Sequence, residues 1–258
     1  MSATDHSRPA GALLLCRAEP GRVRPSAQLL REPLLLAPAG EGWSVLVPGE
    51  ESWQAEGTSP AAVTAEWAHA LTTAEPWPAV GLWWDDRGAG FVVASGFRRT
   101  AGYTWLADGT PRGEETALAA LRSRLGLDPV LDAAAFDRLA EADPDADAAA
   151  RIRGLIAVLA RAGLHLPPGL APGTSTAALR TAVGTAPGVR AVEWPGWREA
   201  VCAGPRARAL SAAEIAVGAG LLLAGRRRAR RGLAVAGAVL VADGVLTLAY
   251  DRWRARGE

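Results

Sequence analysis

Apolar residues follow three rhythms along this chain of 258 residues, and each rhythm marks a different region. In the first hundred residues they come in short unbroken or alternating runs. Residues 12–17 (ALLLCR) read as a buried strand, and 34–37 and 43–47 as two strands joined by the glycine-bearing turn PAGEG. Residues 80–84 (VGLWW), 90–94 (GFVVA) and 102–106 (GYTWL) form a meander, turning at DDRG and ending at Asp108-Gly109.

Between these strand groups and after them, the spacing changes to threes and fours. Residues 25–30 make about one helical turn, ended at Pro33. Ser59 caps a helix over 60–73, with Pro60 at its first position and Val63, Trp67 and Leu71 as its apolar stripe. Further helices are expected over 114–125, with Leu118, Leu121 and Leu125 on one face and Gly126 as the stop, and over 132–140. Asp143-Pro144 opens another to residue 162, striped by Ile152, Leu155, Ile156 and Leu159. After the proline-rich run 166–173, Ser175 or Thr176 caps a short helix carrying Leu179 and Val183.

The third rhythm is an absence of rhythm. Residues 210–225 and 232–250 are apolar almost throughout, and they flank the cluster RRRARR at 226–231. From Ile215 to Ala224 no polar side chain stands at any helical angle, which suits a helix surrounded by lipid or by protein but not by water. As helices the two segments would measure about 24 and 28 Å, against a bilayer core of about 30 Å. Gly218, Gly220, Gly237 and Gly244 would let two such helices approach closely.

These patterns define an α+β protein. A mixed or antiparallel sheet of about five or six strands, with helices packed on it, precedes a C-terminal apolar helical hairpin. The expected divisions are a disordered tail (1–10), an α+β domain (11–165), a linker with a short helical segment (166–205) and the hairpin (206–258).

Composition changes the picture in two ways. Lysine and asparagine are absent, and alanine, glycine, arginine and proline abound, the codon signature of a very GC-rich genome. Arginine clusters arise easily under such bias, so each carries less weight as a signal. Net charge is +1, with 28 basic and 27 acidic residues, which gives no global field for nucleic acid. Nucleic acid is therefore disfavoured as a partner.

The candidate lipid- or anion-binding residues are Arg226, Arg227, Arg228, Arg230 and Arg231. Folding the hairpin about Arg228 brings Glu214 and Asp243 to nearly equal depth, where two carboxylates could share a proton; two wet or arginine-paired carboxylates near helix ends are the simpler account. The positive-inside rule places the arginine loop in the cytoplasm. No secretory signal opens the chain, however, since the N-terminal apolar run is short and broken by Arg17 and Pro20. Three arrangements stay open: a hairpin lying in the interface, one inserted against the charge rule, or one buried by self-association.

Chemistry is sparse. His6, His69 and His165, with Cys16 and Cys202, are too scattered for zinc, and no phosphate loop or nucleophile elbow occurs. No cofactor and no metal site are expected. Asp85 and Asp86 sit where a hairpin turn belongs, and adjacent strand residues face opposite ways. Phe97-Arg98-Arg99 beside Tyr103 and Trp105 suggests a stacking surface for an anion, with a solvated strand edge as the simpler reading. Trp194 and Trp197 around Pro195-Gly196 could dock on the first domain or anchor at a membrane interface, docking being favoured.

The first functional expectation is a non-enzymatic binding or scaffold protein held at the cytoplasmic face of a membrane by its hairpin, with lipid or a protein as partner. The second is a soluble cytoplasmic protein, a homo-oligomer joined through the same hairpin. The third is an enzyme using Asp85, Asp86 or His69.

Overall fold

The run GALLLC has no polar side chain, so it is stable as a strand only where both of its faces are covered. It forms β1 (Gly11–Cys16) at the middle of an antiparallel sheet, and all six of its residues are buried. The computed structural model of the protein describes residues 9–49 and 58–193. The other strands are β2 (Leu34–Pro38), β3 (Ser44–Pro48), β4 (Ala79–Trp84), β5 (Gly88–Ala94), β6 (Ala101–Leu106), β7 (Pro111–Arg112) and β8 (Arg190–Val192). Their order is β7-β6-β5-β4-β1-β3-β2-β8, and every neighbouring pair is antiparallel.

Six helices lie among the described residues: α1 (Pro20–Gln28), α2 (Pro60–Thr72), α3 (Glu115–Leu125), α4 (Ala133–Ala140), α5 (Ala148–Arg161) and α6 (Thr176–Gly184). The pleat of β1 sorts them into two layers. Leu13 and Leu15 face Leu121, Leu155, Leu159 and Leu179 of the layer made by α3 to α6. Leu14 and Cys16 face Val23, Ala27, Trp67 and Leu71 of α1 and α2. Each fully buried leucine contributes about 1.5–3 kcal/mol relative to exposure, so these two clusters are the main source of stability.

The described residues thus form an α+β unit with an antiparallel sheet of eight strands, wider than the five or six expected. The two additions are the edge strands β7 and β8, only two and three residues long, too short to show any alternation. β8 pairs with β2 through Leu34↔Val192, so it joins the same sheet as β1, and α6 packs near β2 and β3.

Helix boundaries differ from expectation for local reasons. α1 starts at Pro20, which suits the first helical position, and runs through Pro25, an interior proline that forfeits one backbone hydrogen bond. α5 starts at Ala148, where the Asp147 carboxylate accepts the Ala150 N–H at 2.8 Å. Asp143 instead closes a turn by accepting the Asp145 N–H at 3.0 Å. On α2 the buried face is Pro60, Thr64, Trp67, Ala68, Leu71 and Thr72, with Val63 only half-buried. Threonine is tolerated there because the Thr64 and Thr72 hydroxyls donate to the carbonyls of Pro60 and Ala68, one turn back.

Three tryptophans tie the sheet to the larger helical layer. The Trp105 indole N–H donates to the Leu139 carbonyl in the last turn of α4 at 2.8 Å. Trp43 donates to the carbonyl of Ala162, which ends α5, at 3.0 Å. Trp84 donates to Thr174, just before α6, at 2.9 Å. Trp105→Phe keeps most of the ring and leaves the Leu139 carbonyl without its donor. We expect a loss of about 1–3 kcal/mol, read from the urea midpoint at constant m-value; an unchanged midpoint would show that water replaces the indole.

Candidate functional site

The arginines Arg226, Arg227, Arg228, Arg230 and Arg231 and the carboxylates Glu214 and Asp243 lie outside the described residues, as do Trp194, Trp197 and His6. Among the described residues no helix is long and apolar enough to cross a membrane.

Asp85 is a turn residue. Its Oδ1 accepts the N–H groups of Arg87 at 2.9 Å and Gly88 at 3.0 Å, which closes the β4–β5 hairpin. Asp86 next to it is exposed, and so is His69 on α2. The three residues proposed for an enzyme are not brought together by any contact. Tyr103 and Trp105 are turned into the core against Phe91, whereas Phe97 stands 86% exposed in the β5–β6 turn. Strand alternation therefore separates the aromatic pair from the Phe97-Arg98-Arg99 loop, and no shared stacking surface forms.

The loop does meet a different partner. Arg124, in the last turn of α3, donates to the Val93 carbonyl at 2.7 Å and to the Arg99 carbonyl at 2.6 Å. Burial, and then the charge of Arg98, hold its guanidinium below the usual arginine range. Gly126 ends α3 in the left-handed conformation, with φ of 61°. Arg17 Nη1 lies 3.8 Å from where a Cβ on Gly126 would stand. Four arginines (Arg17, Arg98, Arg99 and Arg124) thus gather where α3 ends and the β5–β6 turn begins. Helical periodicity alone places Arg124 beside the apolar stripe; its reach to another strand pair leaves no trace in local sequence.

A buried arginine was also missed. Arg151 is 3% exposed, between Ile152 and the cap of α5. Its guanidinium donates to the carbonyls of Arg138 and, at 2.7 Å, Glu141, placing a cation on the negative end of α4. The sequence signal is spacing: Arg151 stands one turn before Leu155, on the stripe itself. Burial pushes the Tyr103 hydroxyl above its ordinary pKa, opposed by the nearby Arg151 charge and reinforced by Glu115. Arg151 Nε and Trp77 Nε1 are buried without a hydrogen-bond partner among the described residues.

Clefts open on the surface of the described residues at two places. One, of about 200 Å³, lies at the β4–β5 turn between Trp84, Asp85, Ala148, Arg153 and Gly173. The other, of about 400 Å³, runs between α3 and α4 past Glu115, Leu118, Arg122, Phe136 and Asp137. Arg122 sits over the Phe136 ring at 5.6 Å, so its cation is engaged with the groove wall. Neither cleft includes a histidine or cysteine, and among the described residues no three His, Cys, Asp or Glu side chains gather as a metal site. No protein-family model, curated protein or solved structure matches the chain.

Cys16 is the one free cysteine among the described residues. It is fully buried, and burial pushes its thiol far above the ordinary value of 9.0. The folded state therefore keeps this proton at pH values where the unfolded chain loses it. That contribution is complete below about pH 9 and falls above it by about 1.4 kcal/mol per pH unit. In urea titrations from pH 7 to 10.5, the stability difference between the wild type and Cys16→Ala should be flat at first and then drop by that slope. Parallel curves throughout would mean that the thiol ionises as freely in the folded protein as in the unfolded one.

Proposed function

We propose that this is a non-enzymatic binding or scaffold protein whose α+β unit is held at a membrane by residues 206–258. One observation carries the reading: from Ile215 to Ala224 the chain offers water no polar side chain on any helical face, and the cluster 226–231 follows directly. The faces of the sheet already have helices drawn from residues 20–184, so the terminal stretch is not needed as their cover. A bilayer supplies both an apolar medium for 210–225 and 232–250 and anionic head groups for Arg226, Arg227, Arg228, Arg230 and Arg231.

The role of the α+β unit in this reading is to present a surface. Its sharpest polar groups are spent inside the fold: Asp85 on a turn, Arg151 on α4, Arg124 on the β5–β6 hairpin.

Alkaline carbonate extraction of membranes containing the full chain tests the anchor. An inserted hairpin keeps the protein in the pellet, and an interfacial one releases it at alkaline pH but holds it in the pellet at neutral pH and low salt. Recovery in the supernatant under both conditions, together with a concentration-dependent oligomer in solution, would replace the membrane by self-association through the same residues. A chain ending at Pro205 should remain soluble with the unfolding midpoint of the full-length protein; loss of folding would assign the terminal stretch to the main core and remove the anchoring role.

A further inference from the structure

Of the four large apolar side chains that stand exposed among the described residues, three gather at one end of the sheet. Phe97, 86% exposed, tips the β5–β6 turn. Val130 and Leu131, both 80% exposed, follow α3, whose C-terminal Arg124 is bonded to that same turn. The fourth, Leu29, ends α1 close to the start of β2, at the opposite end of the strands. An exposed leucine by itself means little, but three such residues on two loops tied together through Arg124 make this end of the sheet unusually apolar.

The same end carries more positive than negative charge. Arg98 and Arg99 follow Phe97 and are exposed, Arg124 is bonded to the Arg99 carbonyl, and Arg17, over the Trp43 ring, lies near Gly126 at the end of α3. Of the nearby carboxylates, Asp132 is ion-paired, whereas Asp128 and Glu19 keep their charge while accepting backbone N–H groups. Asp128 accepts the N–H groups of Val130 at 2.8 Å and Leu131 at 2.9 Å, which stiffens the loop that carries both. Asp132 is paired with Arg161 at 2.6 Å, and Glu19 accepts the Gly42 N–H at 3.1 Å. Among the described residues, Arg98, Arg99 and Arg124 have no ion-pair partner.

We propose that this end of the sheet is a second membrane-docking surface, in which Phe97, Val130 and Leu131 enter the head-group region of an anionic bilayer and Arg98 and Arg99 bind its phosphates. Arg124 positions the tip by clamping the β5–β6 turn to α3. An anionic bilayer fits better than a nucleic acid because Val130 and Leu131 have no ring to stack on a base, while a bilayer rewards aliphatic and aromatic burial alike. The surface extends the membrane reading to the folded unit and does not require residues 210–250 to insert. It fixes the orientation of the α+β unit, with the β5–β6 turn toward the lipid and the β4–β5 turn toward the aqueous side.

The test uses the full chain with Cys202→Ser and a single polarity-sensitive fluorophore on Val130→Cys or, as control, on Leu29→Cys; Cys16 is buried and does not label. On vesicles of phosphatidylserine and phosphatidylcholine, the probe at 130 should shift to the blue and be quenched by spin-labelled lipid, and the probe at 29 should do neither. Arg98→Ala with Arg99→Ala should weaken the response at 130 by roughly thirtyfold in lipid concentration, from the attraction each basic side chain makes at an anionic surface. Vesicles of phosphatidylcholine alone should give little response. A silent probe at 130, equal responses at 130 and 29, an unaltered response in the double variant, or a response to single-stranded oligonucleotide without one to vesicles would each overturn the proposal. The carbonate experiment reads the terminal segment and this probe reads the tip, so either membrane contact can fail without the other.

Discussion

Three indole N–H groups rising from one face of the sheet give direction to layers that are held together mainly by apolar contact. Hydrophobic burial has no preferred direction, so a helix resting on a greasy sheet is free to slide until something directional stops it. Trp43, Trp84 and Trp105 supply that directionality. Two of them spend their single donor on a carbonyl at a helix end, where no intrahelical N–H is available. The tryptophan both fills the interface with a large ring and fixes the register of the helix above it. Arg151 does comparable work between two helices, with charge in place of a ring.

This arrangement explains which features could be read from residue order. β1 to β6 were legible because their apolar runs are bounded by turns with a chemical reason to turn, as at Asp85 and at Gly40 and Gly42, which both have positive φ. The cap at Ser59 was legible too, and that at Ser175 to within one residue, with Thr176 as the other candidate, since a cap is a local hydrogen bond. β7 and β8 were not, because two or three residues carry no period. The start of α5 was misplaced because both Asp143 and Asp147 are chemically able to cap; the choice between them depends on contacts such as Ala148 N–H to the Ala107 carbonyl. The arginines split along the same line. Their number is visible in the sequence, but whether one stabilises a helix end, as Arg151 does, or clamps a hairpin, as Arg124 does, is decided by residues distant in the chain.

The polar groups of the α+β unit are largely consumed in holding it together, and its free resources lie at its ends. The loops beyond Cys16, Ala94 and Leu125 combine aliphatic and aromatic tips with arginine. The opposite end has the tight Asp85 turn and the cleft lined by Arg153. A sheet with its central strand buried on both sides has no broad face left for binding, so partners must meet it at strand ends or along helix grooves. That constraint favours contact with an extended surface over enclosure of a small molecule.

The position of β8 has a consequence for the order of events during synthesis. The sheet begins at Gly11 with what becomes its central strand and receives an edge strand only at Val192, shortly before the apolar stretch that starts at Leu210. Ribosomes deliver chains from the N-terminus, and domains generally fold in that order. All eight strands have therefore been translated before the greasiest segment exists, and the α+β unit can close without competing for it. The segment least suited to water is made only after every strand of the sheet.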